Sequence, residues 1–98
     1  MGKDKIENAI KYIQEHTENY LTDDETKELK FFAVESDSGE VVWSPNQVAK
    51  IHGTSCSSTI RYRANKGKID SSPITDGNVS SNYITKKGIT QSIAMGAY

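Results

Sequence analysis

The first apolar positions of the chain recur at steps of three and four residues, the spacing of one face of an α-helix. The pattern covers residues 4–21 and predicts an amphipathic helix there, capped by Asp4 with Glu7 three residues later. The stripe either packs against the rest of the domain or, because it is long for so small a protein, pairs two copies of the chain in a homodimer. Its members are Ile6, Ala9, Ile10, Ile13, Thr17, Tyr20 and Leu21.

A different pattern follows this helix. Residues 22–30 are mostly polar and acidic, and we expect a connector with room for one helical turn. Two short runs rich in β-formers, residues 30–35 and 40–43, then flank the turn sequence Asp37-Ser-Gly and predict a β-hairpin. We expect the aromatic residues of these runs to lie in the core: Phe31, Phe32 and Trp43.

The strongest local signals mark the start and the end of a helix over residues 44–53. A serine N-cap is followed by proline at the first helical position and by glutamine at the third, which together form a capping box. A tryptophan before the cap and a valine at the fourth position form a hydrophobic staple, and a glycine ends the helix. These positions are Ser44, Pro45, Gln47, Trp43, Val48 and Gly53.

A second helix is predicted directly after Gly53, with Thr54 or Ser55 as its cap and Gly67 at its end. Two helices joined by a tight glycine turn make a helix-turn-helix over residues 44–68. One side of the second helix is a narrow apolar edge, whose cysteine we expect to be a small core residue. This edge comprises Cys56, Ile60 and Ala64, and the opposite side comprises Ser57, Ser58, Arg61, Asn65 and Lys68.

The remaining residues are rich in Ser, Thr, Asn and Gly. Residues 69–78 are typical of a loop with short extended pieces, and residues 82–93 predict a second hairpin with Lys86 and Lys87 at its tip, like the wing of a winged helix. A chain of 98 residues suffices for one domain. We therefore predict a single α+β domain with a helical arm over 1–30, a hairpin over 31–43, the helix-turn-helix over 44–68 and a wing and tail over 69–98.

Charge is distributed unequally along the chain. Residues 1–43 hold five basic and eleven acidic side chains, a net charge of −6, whereas residues 44–98 hold seven basic and two acidic side chains, a net charge of +5. Such asymmetry is typical of nucleic-acid contact by the basic part, but it is equally explained by attraction between the two halves.

Composition argues against several function classes. One cysteine allows no internal disulfide and fits a reducing cytoplasm, and two histidines provide no zinc-ligand spacing, so no cofactor is expected. No apolar run approaches the ~18–20 residues of a membrane span, and the amino terminus lacks the apolar core of a signal peptide. The acidic side chains show no convergent arrangement for nuclease chemistry, so we expect that the protein is not an enzyme.

Residues 39–68 resemble known DNA-binding modules. The segments Val48-Ala-Lys-Ile-His-Gly, Ser58-Thr-Ile-Arg-Tyr-Arg and Gly67-Lys-Ile are similar to the helix-turn-helix of the MerR and excisionase-like group. The wider block from Gly39 to Lys68, roughly a third of the chain, resembles the modular DNA-binding repeats of phage and intron-encoded homing endonucleases. This resemblance implies that the second helix approaches the major groove and that the protein regulates transcription or recombination for a phage or mobile element.

The expected nucleic-acid interface follows the polar side of the second helix. Arg61 suits a guanine edge, and Asn65 suits adenine or a phosphate. Ser57 and Ser58 lie where hydroxyls and the N–H groups of a first helical turn bind phosphate. Phosphates would be bound by Lys50, Arg63, Lys66 and Lys68, although Arg63 and Lys66 are equally explained as solvating a helix surface. On the predicted hairpin tip, Lys86 and Lys87 would touch an adjacent backbone or the minor groove.

Two other partners stay open at this point. A protein-interaction adaptor or inhibitor would dock a host protein through the acidic amino-terminal half, and an RNA target would use the same basic helix. The favoured expectation is double-stranded DNA as the partner, no membrane, and a cytoplasmic location.

Overall fold

The computed structural model of the protein describes residues 2–52 and 56–96. These residues form the mixed α+β fold that the sequence predicts. The elements in chain order are α1 (Lys3–His16), α2 (Asp23–Phe32), β1 (Val34–Glu35), β2 (Val41–Trp43), α3 (Pro45–His52), α4 (Ser57–Asn65), β3 (Ser71–Asp76), β4 (Val79–Thr85) and α5 (Lys86–Met95). The strands form one antiparallel sheet in the order β1-β2-β4-β3, so the two hairpins join where β2 pairs with β4.

The core is centred on Trp43 and draws residues from every helix and from β2 and β4. The indole of Trp43 is fully buried, and its N–H donates a 2.7 Å hydrogen bond to the carbonyl oxygen of Leu29, which ties β2 to α2. Trp43 also lies opposite Ile84 in the pairing of β2 with β4. Both hairpins therefore pack on the same core.

α1 is shorter than the predicted helix. It ends at His16, and Glu18 and Asn19 adopt left-handed φ angles of 53° and 58°. The chain turns back at this point, so that Leu21 is buried. Gln14 fixes the turn, because its side-chain amide donates to the carbonyl oxygen of Leu21 at 3.2 Å and accepts from the N–H of Leu21 at 3.1 Å.

The apolar stripe of α1 packs inside the protein. Ala9, Ile10 and Ile13 are buried in the core, in agreement with the first of the two interpretations of this stripe. The predicted cap is wrong: Gly2 is the N-cap residue, and Asp4 lies in the first turn of the helix.

The acidic connector contains a complete helix, α2, where only a turn was expected. Thr22 and Glu25 form a capping box, in which the N–H of Glu25 donates to the Thr22 hydroxyl at 3.2 Å and the N–H of Thr22 donates to the Glu25 carboxylate at 2.9 Å. The helix continues through Phe31 and Phe32, whose side chains are 80% and 42% exposed. The prediction that these two residues belong to a strand and to the core is therefore wrong, whereas Trp43 is a core residue as predicted.

The carboxy-terminal hairpin is present, but it lies earlier in the chain than predicted. β3 and β4 pair along their length and are joined by Gly77, which has a φ angle of +63°, and Asn78. Lys86 and Lys87 are not at the tip of a hairpin. They begin α5, because the Thr85 side chain caps that helix.

α5 approaches the end of this hairpin closely. The N–H of Gly88 donates to the Thr85 hydroxyl at 3.0 Å, and the same hydroxyl donates to the Asp70 carboxylate at 2.5 Å. A Cβ atom at Gly88 would overlap the carbonyl oxygen of Asp70 and lie 2.7 Å from the Ile84 side chain. The missing side chain of Gly88 thus allows α5 to pack against β4 beside α4.

Candidate nucleic-acid interface

The first helix of the predicted helix-turn-helix begins as the sequence indicates. The Ser44 hydroxyl accepts a hydrogen bond from the N–H of Gln47 at 3.3 Å, and the Ser44 carbonyl accepts one from the N–H of Val48 at 3.2 Å. Trp43 and Val48 are both buried beside this cap, as a hydrophobic staple requires. The local signals therefore place the start of α3 correctly.

The second helix, α4, packs directly against α3. The turn predicted at Gly53 and the caps predicted at Thr54 or Ser55 lie outside the described residues. α4 follows Cys56, which has the extended backbone angles of an N-cap residue, and Gly67 adopts a φ angle of +72° just beyond the end of the helix. Both helices of the motif are thus present and in contact.

α4 has one buried face and one exposed face. Ile60, Arg63 and Ala64 form the buried face and are each at most 5% exposed. The exposed residues are three or four positions apart, so they form one continuous stripe along the helix. This exposed stripe consists of Ser58, Arg61, Tyr62 and Asn65.

A polar groove with a volume of about 380 Å³ runs beside the exposed stripe. Arg61 and Asn65 line one side, the start of α3 lines another, and β4 lines the third. The side-chain amide nitrogen of Asn82 on β4 donates a 2.9 Å hydrogen bond to the side-chain oxygen of Asn65. The remaining lining residues are Ser44, Pro45, Asn46, Ser80, Ser81 and Tyr83.

The alternation of β4 explains why this groove is polar. Ile84 is fully buried, and Asn82 and Ser80, at two-residue steps from it, lie on the same face of the sheet. On α4, the buried Ala64 is followed by the exposed Asn65. The contact between α4 and β4 is therefore apolar at Ile84 and becomes polar at Asn82, where it opens into the groove.

Cations lie at the carboxy-terminal end of α4. The ammonium groups of Lys66 and Lys68 are 5.9 and 5.4 Å from the centre of the Tyr62 ring, within range of a cation–π interaction. We call these three residues the basic rim. The sequence from residue 41 to residue 69 contains five basic and no acidic side chains, so no carboxylate within this segment neutralises the rim.

Arg63 is placed differently from what the sequence suggested. Its side chain is 4% exposed, and its guanidinium group donates to the carbonyl oxygen of Gly96 at 2.9 Å and to the Ser92 hydroxyl at 3.4 Å. A helix turns by 100° per residue, so Arg63 lies about 200° around α4 from Arg61. The position of Arg63 fits a link between α4 and α5 and not a phosphate contact.

The two lysines expected on the wing also lie away from the groove. Lys86 is half-buried, and its ammonium group is 5.1 Å from the centre of the Tyr12 ring on α1. Lys87 is exposed on the first turn of α5. Of the predicted binding residues, the fold thus brings together Arg61, Asn65, Lys66, Lys68 and the two serines of the first turn of α4.

The first turn of α4 contains Ser57, Ser58 and an exposed thiol. The guanidinium group of Arg61 donates to the Ser57 hydroxyl at 3.4 Å. Cys56 is exposed, so its prediction as a core residue is wrong: it is the N-cap residue and its extended backbone takes it off the buried edge of the helix. Hydrogen bonds from the hydroxyls of Ser58 and Thr59, at 2.9 and 3.5 Å, lower the pKa of the Cys56 thiol to about 6.

His52, at the end of α3, links this helix to α5. Its Nε2 atom lies 2.8 Å from the hydroxyl oxygen of Ser92 on α5, which also accepts the long hydrogen bond from Arg63. Burial lowers the pKa of His52, the positive charge of Arg63 lowers it further, and the charge of Glu25 acts in the opposite direction. Because Ser92 is fully buried, this histidine–serine pair joins helices and offers no accessible nucleophile.

Sequence reasoning missed the strand side of the groove. It placed residues 82–85 in a strand but selected no binding residue there, because the partner helix of that strand was not evident. The available signal was the two-residue alternation back from Ile84, which places Asn82 on the face that packs against a helix.

Within residues 2–52 and 56–96, no three His, Cys, Asp or Glu side chains lie close enough together to hold a metal ion. No helix in the same ranges is long and apolar enough to cross a membrane. No protein-family model, curated protein sequence or solved structure significantly matches this chain.

Proposed function

We propose that the protein binds double-stranded DNA with the exposed stripe of α4 in the major groove. The observation that carries this proposal is the position of Arg61 and Asn65, which lie exposed between a polar groove and the basic rim. Base recognition requires hydrogen-bonding groups on an accessible helix face, with cations nearby that hold the phosphates. The exposed stripe of α4 and the basic rim meet both requirements.

The dimensions of α4 fit this role. An α-helix with its side chains is about 10–12 Å in diameter, and the major groove of B-DNA is about 12 Å wide, so a helix such as α4 can lie in the groove. The β3–β4 hairpin lies beside α4, as the hydrogen bond between Asn82 and Asn65 illustrates, and takes the place of a wing. This wing carries hydroxyl and amide groups near the helix, so we expect it to contribute hydrogen bonds and little charge.

Each group of residues has a distinct role in the proposal. The exposed Arg61 presents the fork-shaped donor that matches the O6 and N7 atoms of guanine. The ammonium groups of Lys66 and Lys68 neutralise phosphates, and the hydroxyls of Ser57 and Ser58 bind a phosphate at the first turn of α4.

Fluorescence anisotropy with a mixed-sequence DNA duplex of 20 base pairs tests the proposal. We expect K66A/K68A to weaken binding by roughly tenfold at moderate salt and to reduce the slope of log affinity against log salt by about 2, because two phosphate contacts are lost. The matched control is K27A/K30A on α2, which makes the same change in net charge at exposed positions of the acidic half.

The control distinguishes a local interface from overall charge. If the proposal is correct, K27A/K30A leaves the salt slope unchanged. Equal effects of the two double variants, or a wild-type protein that binds no duplex in low salt, contradict it. Competition by an RNA duplex of the same sequence tests the RNA alternative, and stronger competition by RNA than by DNA favours that target.

The proposal assigns no reaction to the protein. We propose a regulator of transcription or recombination from a phage or mobile element, acting in a reducing cytoplasm. The resemblance of residues 39–68 to DNA-binding modules and the presence of a single cysteine support this role.

One observation favours a second candidate function, a protein-interaction adaptor. Phe31 is 80% exposed at the end of α2, and Asp24, Lys27 and Glu28 are exposed at three- and four-residue steps before it. The Phe31 ring packs edge-to-face on that of Phe32, with ring centres 4.9 Å apart, so two exposed aromatic side chains form one patch, and aromatic residues are enriched in protein interfaces. Capture of a defined host protein from nuclease-treated lysate by the wild type and not by Phe31→Ser would favour the adaptor.

A further inference from the structure

An amide pair joins the two elements that line the polar groove. The side-chain nitrogen of Asn82 on β4 donates to the side-chain oxygen of Asn65 on α4 at 2.9 Å, and both residues are exposed. The pair lies where the packed contact between α4 and β4 meets solvent, because Ala64 and Ile84 on either side of it are buried. It is therefore held by the core and accessible to a ligand.

The hydrogen bond leaves a complementary set of groups unused. In the described ranges, neither the side-chain nitrogen of Asn65 nor the side-chain oxygen of Asn82 makes another hydrogen bond. Asn65 thus keeps a free amide donor and Asn82 a free carbonyl acceptor, on two side chains that hydrogen-bond to each other. Adenine presents the matching groups in the major groove, an acceptor at N7 and a donor at N6.

The pairing also restricts how the two amides move. An exposed asparagine on its own samples several rotamers and must be ordered when it binds a base. Here each amide restrains the other before DNA arrives, which reduces the entropy lost on binding. The surrounding hydroxyl and amide groups provide no charge that would favour a phosphate at this position over a base, apart from Arg61.

We infer that Asn65 and Asn82 together form an adenine-reading site, in which Asn82 is a specificity-determining residue supplied by the hairpin. This inference rests on the proposed DNA binding and adds to it the base that is read and a second structural element that reads it. It predicts that the two asparagines act as one unit: loss of either removes the same base preference, and loss of both removes no more.

The experiment uses duplexes selected from a random library by the full-length wild-type protein. Each adenine of the selected site is replaced in turn by 7-deazaadenine, which lacks the N7 acceptor and keeps the base pair. We expect one adenine at which this replacement weakens wild-type binding by at least about fivefold. Asn65→Ala, Asn82→Ala and the double variant should bind both duplexes equally, and each should bind the unmodified site as weakly as the wild type binds the modified one.

Asn78 provides a matched control, because it is an exposed asparagine at the turn of the same hairpin and does not line the groove. Asn78→Ala should retain the full sensitivity to 7-deazaadenine. Asn82→Asp is a second test variant, because it preserves the shape of the side chain and cannot donate to Asn65. It should lose the sensitivity as Asn82→Ala does.

The outcomes separate this inference from the proposed function. A wild type that binds no duplex overturns both. A wild type that binds DNA with no adenine sensitive to the replacement overturns the inference alone, and so does an Asn82→Asp or Asn82→Ala variant that keeps the wild-type sensitivity.

Discussion

The two faces of α4 carry one arginine each, and the surroundings of the two side chains differ completely. Arg61 is exposed beside the groove and donates one long hydrogen bond, to Ser57. Arg63, two residues later, is 4% exposed and donates to Gly96 and Ser92. The number of basic residues in a segment therefore does not measure the positive charge that its surface presents.

The comparison also indicates how the exposed face is held in place. Arg63 links α4 to α5, and α5 in turn packs against α1 and β4. The orientation of the exposed stripe therefore depends on contacts made by the opposite face of the same helix. We expect substitutions on the buried face to act on stability, and those on the exposed face to act on binding.

The largest effect that tests this division is expected for Arg63→Ala. The substitution removes a buried side chain and leaves the Gly96 carbonyl without its donor, so the free energy of unfolding should fall by about 2–4 kcal/mol. Arg61→Ala should change it by less than about 0.5 kcal/mol. Urea unfolding followed by Trp43 fluorescence measures both.

Arg63→Met separates packing from hydrogen bonding, because methionine fills much of the space and cannot donate. A loss in the free energy of unfolding that is smaller than that of Arg63→Ala but not zero would show that both packing and hydrogen bonding contribute. Equal losses for Arg61→Ala and Arg63→Ala would break the comparison between the two faces.

The division of α4 into faces was only partly predictable from the sequence. Steps of four residues identified the edge that contains Ile60 and Ala64, and both are buried. They did not reveal that Arg63 belongs to the same face, because a charged residue is rarely buried without a partner and its partner, the Gly96 carbonyl, is 33 residues away in the chain. Cys56 was misplaced for a local reason, since the edge was extended one residue beyond the start of the helix.

Element boundaries were predictable where side chains cap the backbone locally. The serine and proline that open α3 predict its start correctly, because the hydrogen bonds that Ser44 accepts lie within one turn. The same rule identifies α2 from Thr22 and Glu25, whereas the β-propensity of Phe31 and Phe32 favours a strand. In the structure the capping box prevails and the helix extends through both aromatic residues.

Local sequence signals do not predict the polar groove. It requires the pairing of β2 with β4, which brings a hairpin from the end of the chain beside α4. The predicted hairpin had its tip at Lys86 and Lys87, and this error hid the strand that carries Asn82. Long-range pairing of strands is set by the whole fold, so no window of sequence contains it.

Protonation of His52 is expected to have a smaller effect on the free energy of unfolding than the loss of Arg63. Burial and the charge of Arg63 keep the pKa of His52 below its usual 6.5, so the unfolded chain binds a proton more readily than the folded protein. The stabilising contribution of neutral His52 is therefore complete above about pH 7 and is lost as the pH falls through 6.5 toward the pKa of the folded state.

Urea unfolding of the wild type and of His52→Gln between pH 5.5 and 7.5 measures this contribution, because the difference between the two proteins removes the effect of the other ionisable groups. The difference should shrink as the pH falls. Arg63→Met should weaken this pH dependence and Arg61→Ala should leave it unchanged, which would extend the contrast between the two arginines. A difference that is constant with pH would contradict the expected titration of His52.

The last effect is expected at the exposed start of α4, where it is measured by the reactivity of a thiol. The hydroxyls of Ser58 and Thr59 lower the pKa of Cys56 to about 6, so at pH 7 the exposed thiol is mostly thiolate. The rate of alkylation by iodoacetamide should reach half its maximum near pH 6 in the folded protein and near pH 8.5 in urea, where the hydrogen bonds are lost. Ser58→Ala should move the folded midpoint upward, because it removes the largest cause of the shift. A folded protein that titrates like the unfolded one would show that the hydroxyls do not stabilise the thiolate.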